Sequence, residues 1–162
     1  MDIRYTNNEF QFLLRVCILI FNKDESKVLL FNVEGRKIFM LPGGKIGELE
    51  ESIDAAKREI KEELGWENIE YKFLGISEEF VIDKGYNNQQ INLIYKGIYN
   101  NDIDKIDFKG LEGDWINFKW IDIKDIDSYK IYPNIVKEMV KNSNNIYHSV
   151  DNLIKKRELI AN

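Results

Sequence analysis

The sequence predicts an α/β fold, and three observations carry that expectation. Two apolar runs near the start, Phe10 to Phe21 and Lys27 to Val33, are separated only by the polar turn Asn22-Lys23-Asp24-Glu25-Ser26, the pattern of two joined strands. From Glu51 to Leu64 the apolar residues Ile53, Ala56, Ile60 and Leu64 recur at helical spacing. Beyond Gly65 the alternating pattern returns, so strands and helices interleave along one chain.

Each element follows from local chemistry. Glu34-Gly35-Arg36 is a turn, and Lys37 to Leu41 reads as a short strand that stops at Pro42-Gly43-Gly44, because proline lacks an amide hydrogen and the glycines admit unusual dihedrals. A tight loop of exposed backbone is expected there. Gly65 is the expected C-terminal stop of the helix. Ile69 to Ile82 and Gln90 to Tyr99 read as a strand pair linked by the polar loop Asp83 to Asn88. Asn101 to Gly113 is polar and reads as loop, and Asp114 to Ile121 alternates as another strand. Pro133 suits the first turn of a terminal helix that breaks near Asn142 to Asn145 and resumes through Ile154, a helical tail over about 133–160.

Size and charge bound the function. With 162 residues, 44% of them hydrophobic, residues 1–162 suit one domain with a real core. The net charge of -5 gives no global basic field for gripping a nucleic-acid backbone. The single cysteine, Cys17, lies in an apolar run and has no intramolecular partner, so a disulfide framework is excluded and a reducing compartment fits. The apolar stretch Phe12 to Phe21 is interrupted by Arg15 and is too short to span a bilayer. No cationic segment or small-residue cleavage site precedes it, so a cytoplasmic, membrane-free protein is expected.

The informative stretch runs from Pro42 to Trp66. Between Gly44 and Glu67 eight acidic residues face four basic ones, so -4 of the chain's -5 sits in this segment. Glu59, Glu62 and Glu63 stand at i, i+3 and i+4 on one helix face, offset from the apolar stripe. Like charges at these spacings, toward the negative end of the helix dipole, call for a cation. Clustered carboxylates suit a hard divalent ion such as Mg²⁺, which takes a few carboxylates and completes its octahedron with waters and substrate phosphates. A solvated acidic face paired with Lys57, Arg58 and Lys61 is the alternative for an arbitrary helix.

The whole pattern decides between them. Gly44, five residues, Glu50, seven residues, then Arg58-Glu59-Ile60-Lys61-Glu62-Glu63-Leu64-Gly65-Trp66 resembles the signature of the Nudix hydrolase family, with every fixed position filled. The soft departure is Trp66, where the family usually carries an aliphatic residue. The resemblance implies an α/β/α sandwich around a mixed β-sheet, with the box at 44–66. It also implies cleavage of a nucleoside diphosphate linked to another moiety, by water attack on phosphorus assisted by divalent metal, Mg²⁺ or alternatively Mn²⁺. The implied catalytic set is Glu50, Arg58, Glu59, Glu62 and Glu63. Of these, Glu59, Glu62 and Glu63 match metal-ligand positions, together with the backbone carbonyl of Gly44. Arg58 is expected to reach back to Glu50 and lock the loop against the helix.

The general base is left open between Glu59 and a carboxylate beyond the box, for which Glu78, Glu79, Glu112 and Asp114 are candidates. Base recognition needs an aromatic-lined cleft, and Phe39, Phe80, Tyr86 and Trp115 are the candidate substrate contacts, while Trp120 is assigned to the core. His148 has no neighbouring Cys or carboxylate cluster in sequence, which argues against zinc. The features of several Nudix subclasses are missing: a proline shortly beyond the box, an arginine-rich motif before it, and an obvious catalytic cysteine. A nucleoside triphosphate or dinucleoside polyphosphate is therefore the leading substrate class. A nucleotide-sensing Nudix module without turnover and a 5′-end RNA pyrophosphohydrolase are the alternatives. The acidic composition counts against nucleic acid as a partner, and homodimerisation is common in the family.

Overall fold

A computed structural model describes residues 1–155. Nine strands, β1 (Arg4–Thr6), β2 (Phe10–Asn22), β3 (Lys27–Val33), β4 (Gly43–Lys45), β5 (Ile69–Asp83), β6 (Tyr86–Tyr99), β7 (Asp107–Gly110), β8 (Gly113–Asp122) and β9 (Tyr147–Asn152), join in one mixed sheet. The main path runs β7-β8-β3-β2-β6-β5-β9, and β1 and β4 also pair with β2. The β2–β6 and β5–β9 pairs are parallel, and the others are antiparallel.

The period-two alternation of β2 builds two cores. Val16, Ile18 and Ile20 pack with Ala55, Ala56, Ile60 and Leu64 of α1 (Ser52–Leu64). Leu19 and Phe21 point the other way, onto Val136, Met139 and Val140 of α2 (Ile135–Lys141) and Ile126 of a short 3-10 helix. The sheet is thus covered on both faces, as an α/β/α sandwich requires, and its central strands are buried on both sides. Gly65 ends α1 in the left-handed conformation, with its amide bonded to the Lys61 carbonyl at 2.9 Å.

Several sequence expectations need correction. The helical tail over 133–160 is interrupted by a strand: α2 covers Ile135–Lys141 and stops just before the expected Asn142–Asn145 break, residues 147–152 form β9, and residues 153–155 are helical again. The register of β9 pairs Ser77 with Ser149 and Glu79 with Asp151. The outer edge of β5 needs hydrogen-bond partners, and a six-residue extended segment supplies them where two helical turns could not. Residues 156–160 of that expectation lie outside the described residues.

The Pro42-Gly43-Gly44 segment is not an exposed loop. Gly43 and Gly44 belong to β4 and lie opposite Cys17 and Val16 of β2. A Cβ on Gly43, whose φ is +146°, would meet the Val16 carbonyl oxygen at 2.1 Å, so only glycine permits this approach. The expected strand over residues 37–41 is reduced to single bridges, Phe39 to Ile131 and Met40 to Phe31. The hairpin between β5 and β6 extends to a tight turn at Lys84-Gly85, and part of the expected loop at 101–113 forms β7.

Candidate metal-dependent hydrolase site

The site grows out of α1 and the glycine strand before it. Arg58 is its organiser. Its Nε and Nη2 donate to the two oxygens of Glu50 at 2.8 and 3.0 Å, Nη2 also donates to the Lys45 carbonyl at 3.0 Å, and Nη1 donates to Glu59 at 2.8 Å and Glu62 at 3.3 Å. Glu50 additionally accepts the Gly47 amide at 2.7 Å. The expected reach of Arg58 back to Glu50 is present, as a two-pronged bond that ties helix, loop and strand together. The guanidinium holds the Glu50 carboxyl down at about 2.

The three box glutamates have different surroundings. Glu62 stands at the surface beside Arg58. Glu59 is half-buried, and burial pushes its carboxyl up despite the Arg58 contact. Gly44 makes room for it: a Cβ at Gly44 would fall 2.2 Å from the Glu59 carboxyl carbon. Glu63 is buried, 8% exposed, and its Oε2 has no hydrogen-bond partner among the described residues. Burial, with the charges of Glu112 and Glu59, raises the Glu63 carboxyl to about 8, although the Gly43 amide donates to it.

The carboxylates are spread along α1 and not closed into a cage; no group of three His, Cys, Asp or Glu side chains is already gathered at metal-holding distance among the described residues. The donor set nevertheless fits a divalent cation. An orphaned, buried carboxylate oxygen on Glu63 and a Glu59 carboxylate seated in a cradle that a side chain at Gly44 would fill are oxygen ligands of the type hard cations take.

The candidates beyond the box separate clearly. Glu112 follows Leu111, whose amide bonds the Glu63 carbonyl at 2.9 Å, and its charge acts on both Glu59 and Glu63. Glu78 is engaged by His148 Nε2 at 2.6 Å, across the β5–β9 pair. Asp114 is exposed on β8. Glu79 is not a loop carboxylate: it sits 2% exposed in the middle of β5.

The aromatic candidates do not form one cleft. Phe39 packs edge-on against Tyr129 with centroids 5.4 Å apart, Phe80 and Tyr86 lie half-buried on β5 and β6, and Trp115 is exposed above Gly113. A different group, which sequence spacing did not reveal, lines a cavity of about 270 Å³ beside Leu64: Trp66, Tyr99, Phe108 and Trp120. Trp66 stacks on Tyr99 at 4.0 Å, which explains the bulk at that box position, and Trp120 is in the core as expected.

A fold with this box defines a class, and the comparisons place the chain in it. The family profile for the NUDIX domain matches residues 11–142. The chain belongs to the Nudix family of pyrophosphohydrolases. It is 31% identical over 134 residues to mRNA-decapping enzyme subunit 2 of Saccharomyces cerevisiae; the match covers 76% of this chain, which spans only 12% of that relative's length. Among solved structures, the mutator MutT protein of Bacillus halodurans matches with TM-score 0.64 and 17% identity over 88% of this chain and 92% of its own. The NUDIX domain of Shewanella oneidensis NrtR, solved with ADP ribose, matches with TM-score 0.60 and 16% identity over 85% and 88%. These likenesses show the fold. No helix among the described residues is long and apolar enough to cross a membrane.

Proposed function

We propose that this protein is a divalent-metal-dependent hydrolase that cleaves the diphosphate linkage of a small nucleotide, with a nucleoside triphosphate or dinucleoside polyphosphate as substrate and Mg²⁺ as the ordinary ion. The observation that carries this reading is the unpartnered, buried carboxylate oxygen of Glu63 beside the Gly44 cradle of Glu59. A half-buried and a buried carboxylate side by side are costly unless a cation sits between them, which favours metal-dependent chemistry over a binding module without turnover.

Glu59, Glu62 and Glu63 would hold the ion. A bound divalent cation neutralises charge on the phosphoryl oxygens and lowers the pKa of the attacking water. The residues of the chain do the rest. Arg58 fixes the loop through Glu50 and presents Glu59 and Glu62, so the carboxylates need little reorganisation. Glu112, exposed on the loop facing Glu59 and Glu63, is the candidate to take the water proton. Its neighbour Leu111 fixes that loop to α1. Cys17 is a free thiol, which is compatible with a reducing, cytoplasmic setting.

The decapping relative favours a second reading, hydrolysis at the 5′ end of an RNA. Both readings are tested by one panel: nucleoside triphosphates, dinucleoside polyphosphates, 5′-triphosphorylated RNA and capped RNA, incubated with Mg²⁺ or Mn²⁺ and with products identified. Cleavage of small nucleotides in preference to RNA supports the first reading. Preference for the RNA ends supports the second, and no cleavage of any member by folded, metal-bound protein overturns both.

A further inference from the structure

Trp66 fills the last position of the box, two residues past the end of α1. Gly65 turns the chain there with a φ of +73°, and the half-buried indole lands against the β7–β8 hairpin on the α1 face of the sheet. It meets three rings from three strands: Tyr99 of β6 at 4.0 Å, Phe108 of β7 at 6.0 Å and Trp120 of β8 at 6.1 Å between centroids. Phe108 continues the stack onto Phe118 of β8 at 5.6 Å. One side chain thus joins the end of the box helix to both strands of the hairpin.

The hairpin needs such an anchor. β7 is the last strand of the sheet, four residues long, and its register shifts between Lys109 and Gly110. Its tip, Leu111-Glu112, is exposed, and Leu111 shows 68% of its surface. Among the described residues one backbone bond ties the tip to α1, from the Leu111 amide to the Glu63 carbonyl at 2.9 Å. The Leu111 side chain reaches over Gly65, where an added Cβ would stand 3.2 Å from its Cδ1, and borders the cavity of about 270 Å³ that also runs along Leu64 and Trp66. Exposed, loosely packed edges of this kind open at low free energy, so contacts on the stem decide where the tip sits. The tip carries Glu112, whose charge acts on Glu59 and Glu63.

We infer that Trp66 is a positioning residue for Glu112: by holding Phe108 and Trp120 against the C-terminal end of α1, its indole sets the distance between the hairpin tip and the box carboxylates. A displacement of about 1 Å in a group that must meet a reacting atom costs on the order of 100-fold in rate. An aliphatic side chain at this position would fill the space beside Leu64 but has no ring face to offer Phe108 across 6.0 Å. The bulk of Trp66 therefore serves reaction geometry as well as packing. The inference rests on the hydrolase reading above, with Glu112 as the acceptor of the water proton, and its test has an arm that does not depend on turnover.

The test joins amide hydrogen exchange to kinetics. In Trp66→Leu the Leu111 amide should exchange at least about 10-fold faster relative to the amides of β2 than it does in wild type, because the hairpin opens while the rest of the sheet stays closed. Trp66→Phe, which keeps a ring against Tyr99 and Phe108, should restore most of that protection. On a cleaved nucleotide with Mg²⁺, Trp66→Leu should lower kcat by about 10- to 100-fold with KM little changed. In protein that already carries Glu112→Gln it should lower kcat no further. Phe108→Leu loosens the same contact from the hairpin side and should reproduce both effects, so the test survives a Trp66→Leu chain that does not fold. Leu111 exchange that stays at the wild-type rate, or that speeds up only as much as exchange in β2, overturns the inference. Equal kcat losses with and without Glu112→Gln overturn it too, and leave the hydrolase reading and Glu112 standing. A wild-type rate in Glu112→Gln removes the step that Trp66 is said to serve. If wild type cleaves no nucleotide the hydrolase reading fails, and exchange at Leu111 alone supports or overturns Trp66 as the clamp of the tip.

Discussion

Replacing Glu63 by glutamine should make the protein more stable and end its turnover, and the size of the gain follows from the site. In the folded chain burial and neighbouring acids hold the Glu63 carboxyl up at about 8, against an ordinary 4.5. Between those values the folded protein keeps a proton that the unfolded chain has released, so this residue's contribution falls as pH rises through the window. At about 1.4 kcal/mol per pH unit, wild type loses about 3 kcal/mol by pH 7 and about 5 kcal/mol above pH 8. The glutamine side chain has no proton to release, and its amide nitrogen can occupy the place of the Oε2 that already lacks a partner. The variant should therefore match wild type near pH 4, then exceed it by about 3 kcal/mol at pH 7, or about 6–12 °C in Tm. Chemical denaturation at several pH values, with EDTA to remove metal, measures the difference. A gap that is independent of pH, or a variant less stable than wild type at neutral pH, would rule out a buried Glu63 that holds its proton.

Gly44→Ala should leave the melting temperature close to wild type, because its Cβ meets only the movable end of Glu59, yet should lose most divalent-metal affinity and turnover. Gly43→Ala meets the Val16 backbone and should lower stability by several kcal/mol, about 3 or more, in denaturant titrations. Arg58→Met should depress metal-dependent activity at least 100-fold and remove the acid-side stability loss that wild type shows as pH falls from 4.5 toward the Glu50 value of about 2; an unchanged acid limb in that variant argues against the Arg58–Glu50 lock. Glu112→Gln should lower kcat by about 10²–10⁴-fold with little change in KM, as loss of a general base does, whereas equal rates would remove it from the mechanism.

The box was legible because a helix fixes side chains by residue count alone. Spacings of three and four put Glu59, Glu62 and Glu63 near one face whatever surrounds them. What counting could not supply was depth. The sequence places the three acids as equals, but Glu63 is buried while Glu62 meets water, because Gly43 of β4 and the turn at Leu111 between β7 and β8 come up against Glu63 and not Glu62. The same limit hid β9. Its residues 147–152 show weak alternation and few strand formers, and they are extended because the edge of β5 is there to receive them. Glu79 illustrates the point for function. In sequence it is one of two adjacent glutamates within the strand expected over 69–82, yet the period of two sends Glu78 out to His148 and Glu79 into the polar row of Gln90 and Asn92. The aromatic cavity likewise joins Trp66, Tyr99, Phe108 and Trp120 from four separate elements, which spacing along the chain cannot reveal.

If the box carboxylates hold a divalent ion that supports diphosphate cleavage, metal affinity and turnover must fall together when one of them is neutralised. Mn²⁺ binding followed by electron paramagnetic resonance, with turnover measured on the same samples of wild type and Glu62→Gln, examines that coupling. Glu62 lies at the surface, so its replacement should not disturb the fold. The variant should lose Mn²⁺ affinity and nucleotide hydrolysis together while its melting curve stays that of wild type. Hydrolysis that persists near the wild-type rate in the variant, or in wild type after EDTA treatment, would take the metal site out of the chemistry.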